Sequence, residues 1–185
     1  MIPDVTLTYV PYDANADPSA CGRPIPIKTH KEFANKKVVI VGVPGAFTRE
    51  SFFHAFDQRS WRCLNVFLIA TCSETHVPGF IAKLDEIKSK GVDEVLIYSI
   101  TDAFVMHGWS KVAGGSDKGI KYVGDANGEL ATQLGLTMDL SSMGFGKLRS
   151  KRFALIVDNL KLTYVGVESG GDVTESSAED VLKHL

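Results

Sequence analysis

Cysteine is the residue type in this sequence best placed to do chemistry. Cys72 stands in Thr71-Cys72-Ser73-Glu74-Thr75-His76-Val77-Pro78-Gly79-Phe80, directly ahead of a segment with helical spacing. A cysteine in the first turn of a helix meets unpaired backbone N–H groups and the positive end of the helix dipole, and both favour the thiolate. The thiolate is the nucleophile, so a reactive cysteine belongs in such a place. The position alone also suits a small buried core residue, and on position the two readings stay open. Cys21 lies in Ser19-Ala20-Cys21-Gly22-Arg23-Pro24-Ile25-Pro26, a Pro/Gly-rich loop of a kind mobile enough to carry a second thiol to an oxidised one. The absence of a Cys-x-x-Cys pair counts against a disulfide reductase. No metal-ligand cluster, phosphate loop or dinucleotide fingerprint is present. Gly114-Gly115 and Gly170-Gly171 read as turns, since neither joins a strand to a helix at phosphate-loop spacing. The expected cofactor complement is therefore none, metal included.

The rest of the chain must position such a thiol. Its 185 residues suit one domain spanning 1–185, and 44 % hydrophobic content supplies a single core. Twenty basic against 22 acidic residues leave a net charge of −2, which argues against a nucleic-acid footprint and against disorder. No apolar run is long enough to span a membrane, and the start MIPDVTLTYVPYD shows no secretory signal. Three cysteines are too few, and odd in number, for a disulfide scaffold.

Periodicity predicts alternating elements. Lys37–Val43 and Glu94–Ile100 are continuous β-branched apolar runs, the mark of buried strands. Val77–Ser89 places Phe80, Ile81, Leu84 and Ile87 at helical spacing, with Gly91 as the stop. Thr101-Asp102 caps a helix over Ala103–Val112. A short strand at Lys121–Val123 and a short helix at Glu129–Leu134 follow. Phe153–Asp158 and Lys161–Val167 form a hairpin turning at Asp158-Asn159, and Ser176-Ser177-Ala178-Glu179 starts a last helix that ends at Leu185. This order predicts an α/β fold with a central mixed β-sheet flanked by helices, parallel early and antiparallel late. A thioredoxin-like sheet fits it, as do other small α/β folds.

Motifs in sequence order narrow this. Val43-Pro44-Gly45-Ala46-Phe47-Thr48 precedes Thr71-Cys72-Ser73 with His76-Val77-Pro78-Gly79-Phe80. Then come Asp102-Ala103-Phe104-Val105-Met106 with Trp109, Lys151-Arg152-Phe153-Ala154-Leu155-Ile156-Val157-Asp158, and Ser176-Ser177-Ala178-Glu179 with Val181-Leu182-Lys183-His184-Leu185. Over nearly its whole length the chain resembles the peroxiredoxins, specifically the type II (atypical) class and its fungal allergen-like, partly peroxisomal branch. The resemblance implies a thioredoxin-like fold and a thiol peroxidase, an antioxidant enzyme of cell redox homeostasis. The Cys72 thiolate would attack a hydroperoxide and become a sulfenic acid. Thr48 matches the family threonine and Arg152 the family arginine, which hold the peroxide; Arg152 would also favour the thiolate as a fixed positive charge. Pro44 matches the proline that shields the sulfenic acid. Without the resemblance, Arg152 would read as a surface residue at a strand start and Thr48 as a solvated turn residue. Cys21 matches the segment of a resolving cysteine, implying a Cys72–Cys21 disulfide, often across a dimer; the other reading is a bystander thiol with reduction left to an external thiol. The implied partners are a hydroperoxide substrate, a thioredoxin or glutaredoxin/glutathione reductant and a second copy in a homodimer.

One departure stands out. The family threonine lies three residues before the cysteine, but that position here is Ile69, and residues 49–70 separate Thr48 from Thr71. Replacing those 22 residues with one proline restores Phe-Thr-Pro-Thr-Cys-Ser. Arg49-Glu50-Ser51 is encodable with a 5′ splice sequence and Ile69-Ala70 with a terminal AG, leaving a proline codon and an unbroken frame. A translated intron therefore accounts for the segment better than a true insertion, whose exposed aromatics would promote aggregation. Cys63 lies within it and carries no family role. An interrupted site also allows a non-enzymatic thioredoxin-fold protein, an antigen or interaction module. The C-terminal Lys-His-Leu matches a peroxisomal Ser-Lys-Leu signal only in part, so a cytoplasmic location is expected and a peroxisomal one is the alternative.

Overall fold

The computed structural model describes residues 1–17, 20–47 and 71–185. The described chain forms strands β1 (Thr6–Tyr9) and β2 (Ile25–Lys28), a short helix α1 (Thr29–Glu32) and strand β3 (Lys37–Gly42). After a wide helical turn over Cys72–His76 come α2 (Val77–Ala82), α3 (Leu84–Ser89), β4 (Glu94–Ser99), α4 (Ala103–Ala113), β5 (Ile120–Gly124) and α5 (Glu129–Gln133). A side hairpin of β6 (Thr137–Leu140) and β7 (Gly146–Ser150) precedes β8 (Phe153–Asp158), β9 (Lys161–Val167) and the last helix α6 (Ala178–His184).

The main sheet has seven strands in the order β2-β1-β5-β4-β3-β8-β9. β3, β4 and β5 run parallel, while β8 and β9 return antiparallel on one side and β1 and β2 on the other. This is the mixed sheet expected. Its central strands are covered on both faces, which is why they are apolar without alternation. Val39 and Val41 face Val77, Phe80, Leu84 and Ile87 of α2 and α3, with Trp109 and Val181 from α4 and α6. Val38 and Ile40 face Phe33, Leu130 and Ala131.

The predicted caps form as drawn. Asp102 accepts from the Phe104 and Val105 amides, and Ser177 accepts from Asp180. Gly91 is left-handed beyond the end of α3, and Asn159 and Leu160 take positive φ at the hairpin tip, as a primed turn requires. The predicted helix over 77–89 breaks at Lys83 (φ −101°, ψ 13°) into α2 and α3. Strands β1, β2, β6 and β7 were not signalled by periodicity. Each has only four or five residues, and β2 contains Pro26, which a sheet accepts at its edge.

Register positions the site. β8 runs antiparallel to β3 with Gly42 opposite Phe153, so Arg152 lies beside the segment that leaves β3 through Val43 and Pro44. A Cβ at Gly42 would overlap the Phe153 ring, so the close approach of these strands depends on the glycine. Val43 is held on both sides: its amide donates to Tyr98 O at 2.9 Å, and Ser99 Oγ donates to Val43 O at 3.1 Å.

Candidate active site

Cys72 is fully buried among Val41, Val43, Val77, Met106 and Trp109. It was expected ahead of the helix, yet Thr71 already has helical backbone (φ −53°, ψ −27°) and offers no side-chain cap. Cys72 opens a π-helical turn that continues into α2. Such turns occur often at functional sites because they re-aim side chains within a helix. The core and reactive readings of Cys72 therefore merge: the thiol is in the core, and the charge beside it comes from a residue distant in sequence.

That residue is Arg152. Its Nη1 donates to Cys72 Sγ at 3.4 Å, and the side chain is 3 % exposed, so it is not the surface arginine that local sequence suggests. A buried cation costs heavily unless it meets negative charge or acceptors. Here it meets two acceptors, the Cys72 sulfur and a ring nitrogen of His76. The same Nη1 lies 3.4 Å from His76 Nδ1, and His76 Nε2 lies 2.8 Å from Ser176 O. A carbonyl only accepts, so Nε2 bears the proton and Nδ1 is left as the acceptor facing Arg152. Burial, followed by the Arg152 charge, pushes the His76 pKa down to about 3, against the opposing pull of Ser176 O and Glu168. His76 is thus a neutral acceptor that holds one face of the guanidinium. The sequence offered a signal for it, since Cys72 and His76 are four residues apart and share a helix face.

This depressed pKa has a consequence for stability. In the unfolded chain His76 titrates near 6.5, whereas in the folded chain it stays neutral until about 3. Between these values the unfolded state binds more protons, so stability falls as pH drops below about 6.5, by up to about 1.4 kcal/mol per pH unit. His107, whose pKa burial also lowers, adds the same sign. Glu94 and Glu168, held below their ordinary values by their hydrogen-bond donors, add the same sign once the pH falls into the ordinary carboxylate range. Urea unfolding between pH 6.5 and 4.5 should show this slope, and His76→Gln should flatten it. An equal slope in the variant would contradict the assignment.

Pro44 and Arg152 share a cleft of about 330 Å³ with Met138, Lys151, Glu168, Ser169 and Gly170. A second hollow of about 250 Å³ is lined by Phe47, Ser73, Trp109, Val112 and Ala113, where Trp109 Nε1 donates to Ser73 Oγ at 3.2 Å. Cys21 and Cys72 are both free thiols, one exposed and one buried. Lys111 Nζ donates to Ala20 O at 2.8 Å, which ties the Cys21 loop to α4. Thr48, Cys63 and the segment 49–70 lie outside the described residues. Among the described residues no cluster of His, Cys, Asp and Glu could hold a metal, and no helix is long and apolar enough to cross a membrane.

Residues 1–182 match the Redoxin family. Peroxiredoxin-2C of Arabidopsis thaliana is 43 % identical over 185 residues, covering 100 % of this chain and 95 % of its own. The chain belongs to the peroxiredoxins of the Redoxin family. A fungal relative of this peroxiredoxin, from Malassezia furfur, is 39 % identical over 185 residues, with 100 % and 97 % coverage. Among solved structures, reduced Prx3 of Vibrio vulnificus in complex with hydrogen peroxide superposes with a TM-score of 0.75 at 33 % identity, covering 100 % of this chain and 95 % of that one. The peroxiredoxin therefore has the thioredoxin-like fold expected from its motifs, and it is a thiol-dependent peroxidase. The non-enzymatic alternative is not favoured.

Proposed function

We propose that this peroxiredoxin reduces hydrogen peroxide and alkyl hydroperoxides through Cys72, and the observation carrying this is the buried Arg152 guanidinium 3.4 Å from Cys72 Sγ. The thiolate attacks the terminal peroxide oxygen. The S–O bond forms as the O–O bond breaks, sulfur loses two electrons, and the departing oxygen takes a proton to leave as water or an alcohol. Charge moves from sulfur to the leaving oxygen, so a fixed cation beside both lowers the barrier without reorganising. Arg152 fills that role, Thr48 holds the peroxide, and Pro44 on the cleft wall limits access to the sulfenic acid. Cys21 then attacks the sulfenic sulfur and releases water to form a disulfide, or an external thiol does so. A thioredoxin or glutaredoxin/glutathione system returns the enzyme to the dithiol. The resemblance supports a homodimer and a cytoplasmic location, with the peroxisome as the alternative.

Trapping with a sulfenic-acid reagent tests the assignment. With one equivalent of peroxide, the label is expected on Cys72 and absent from Cys72→Ser. Equal labelling of Cys21 at the same rate would show that no thiol is specially activated.

A further inference from the structure

Glu168 lies just beyond β9 and belongs to none of the motifs above. Its amide donates to Arg152 O at 3.0 Å, so it holds the main chain of the arginine. Its carboxylate accepts four bonds from one short loop: Thr174 N at 2.7 Å, Thr174 Oγ1 at 2.9 Å, Ser176 N at 2.7 Å and Ser176 Oγ at 2.8 Å. Ser176 is fully buried, and its carbonyl fixes His76 Nε2. One residue thus reaches Arg152 at both ends: directly through its own amide at the backbone carbonyl, and indirectly through Ser176 and His76 at Nη1 of the guanidinium. Bonds to a carboxylate are charge-assisted and short, and four of them leave the loop one well-defined conformation. Burial alone would raise the Glu168 pKa; the Ser176 and Thr174 donors instead bring it below the ordinary range, so the carboxylate stays charged through neutral pH.

We propose that Glu168 is a positioning residue for the peroxidase reaction: it latches the 174–176 loop so that the Ser176 carbonyl sets the His76 tautomer and His76 Nδ1 aims Arg152 at Cys72. The proposal rests on the assignment of Arg152 and Cys72 above. A latch that acts on aim differs from one that only stabilises the fold. Loosened packing exposes the buried Cys72 and speeds its reaction with iodoacetamide, which needs the thiolate as the peroxide reaction does but no cation at a departing oxygen, so the ratio of the two rates cancels the thiolate fraction. A misaimed guanidinium instead slows the peroxide reaction, because small displacements cost heavily in rate.

The experiment compares Glu168→Ala, Glu168→Asp and Glu168→Gln in the full chain. Peroxide and iodoacetamide rate constants at Cys72 are measured for each, together with the ¹⁵N NMR tautomer signature of His76. Glu168→Ala is expected to lower the ratio of peroxide to iodoacetamide reactivity about tenfold or more and to mix the His76 tautomers. Glu168→Gln keeps an acceptor for both amides and should restore the ratio to within about threefold. Glu168→Asp keeps the charge but withdraws the carboxylate, and it is the milder change should the alanine chain not fold; it should fall like alanine. A ratio and tautomer unchanged in Glu168→Asp and Glu168→Ala, with Arg152→Met still impaired, overturns the latch alone. If Arg152→Met is also silent, the assignment of the site fails and the latch with it.

Discussion

Arg152→Met should slow peroxide reduction by about two to three orders of magnitude, the usual loss when a preorganised charge donor is removed from a reaction centre. The reason is geometric. The guanidinium touches both Cys72 Sγ and His76 Nδ1 at 3.4 Å, so the charge sits where negative charge moves between sulfur and the leaving oxygen. The methionine side chain fills a similar volume without the charge. The substitution also removes the donor to the buried His76 Nδ1, which costs about 1–3 kcal/mol of stability, so the melting temperature should fall somewhat while the rate, read on the folded variant, falls far more. Arg152→Lys should recover only part of the rate, because an ammonium is a point donor and lacks the planar fork. Stopped-flow peroxide consumption, blanked with Cys72→Ser, measures this. A rate within about threefold of the parent would remove Arg152 from the mechanism.

Replacing residues 49–70 with a single proline should raise the peroxide rate by about a hundredfold. The segment separates Thr48 from Thr71, whereas the resemblance places the threonine three residues before the cysteine. Reaction geometry is that sensitive to displacements of about 1 Å. Equal rates for the two chains would mean that Thr48 and Cys72 meet despite the intervening residues. Transcript reads across the segment test its origin independently: a majority transcript that carries it would rule out the translated intron.

Thr48, Pro44 and Cys72 are legible as neighbours in a local motif, and the interruption at 49–70 is visible only because the motif is contiguous elsewhere. Central strands and capped helices were equally legible, since a buried strand and an Asp102 or Ser177 cap are written in a few adjacent residues. The short strands were not, because four residues such as Thr6–Tyr9 carry too little pattern and their pairing is settled by partners far along the chain.

The sequence by itself determined an α/β order of elements, and its resemblance to the peroxiredoxins pointed to the chemistry through one thiol, Cys72, and one arginine, Arg152. Only the tertiary structure decided what surrounds the sulfur. Arg152 is 80 residues from Cys72, and it arrives there because β8 pairs antiparallel with β3 in a register fixed by Gly42 and Phe153. His76 looks like one more motif residue until Ser176, 100 residues away, claims its Nε2. Glu168 carried no signal at all, because its function lies in four hydrogen bonds to a loop that must first fold back to meet it. Local patterns report the shape of an element, whereas charge, tautomer and aim depend on which distant elements are packed together.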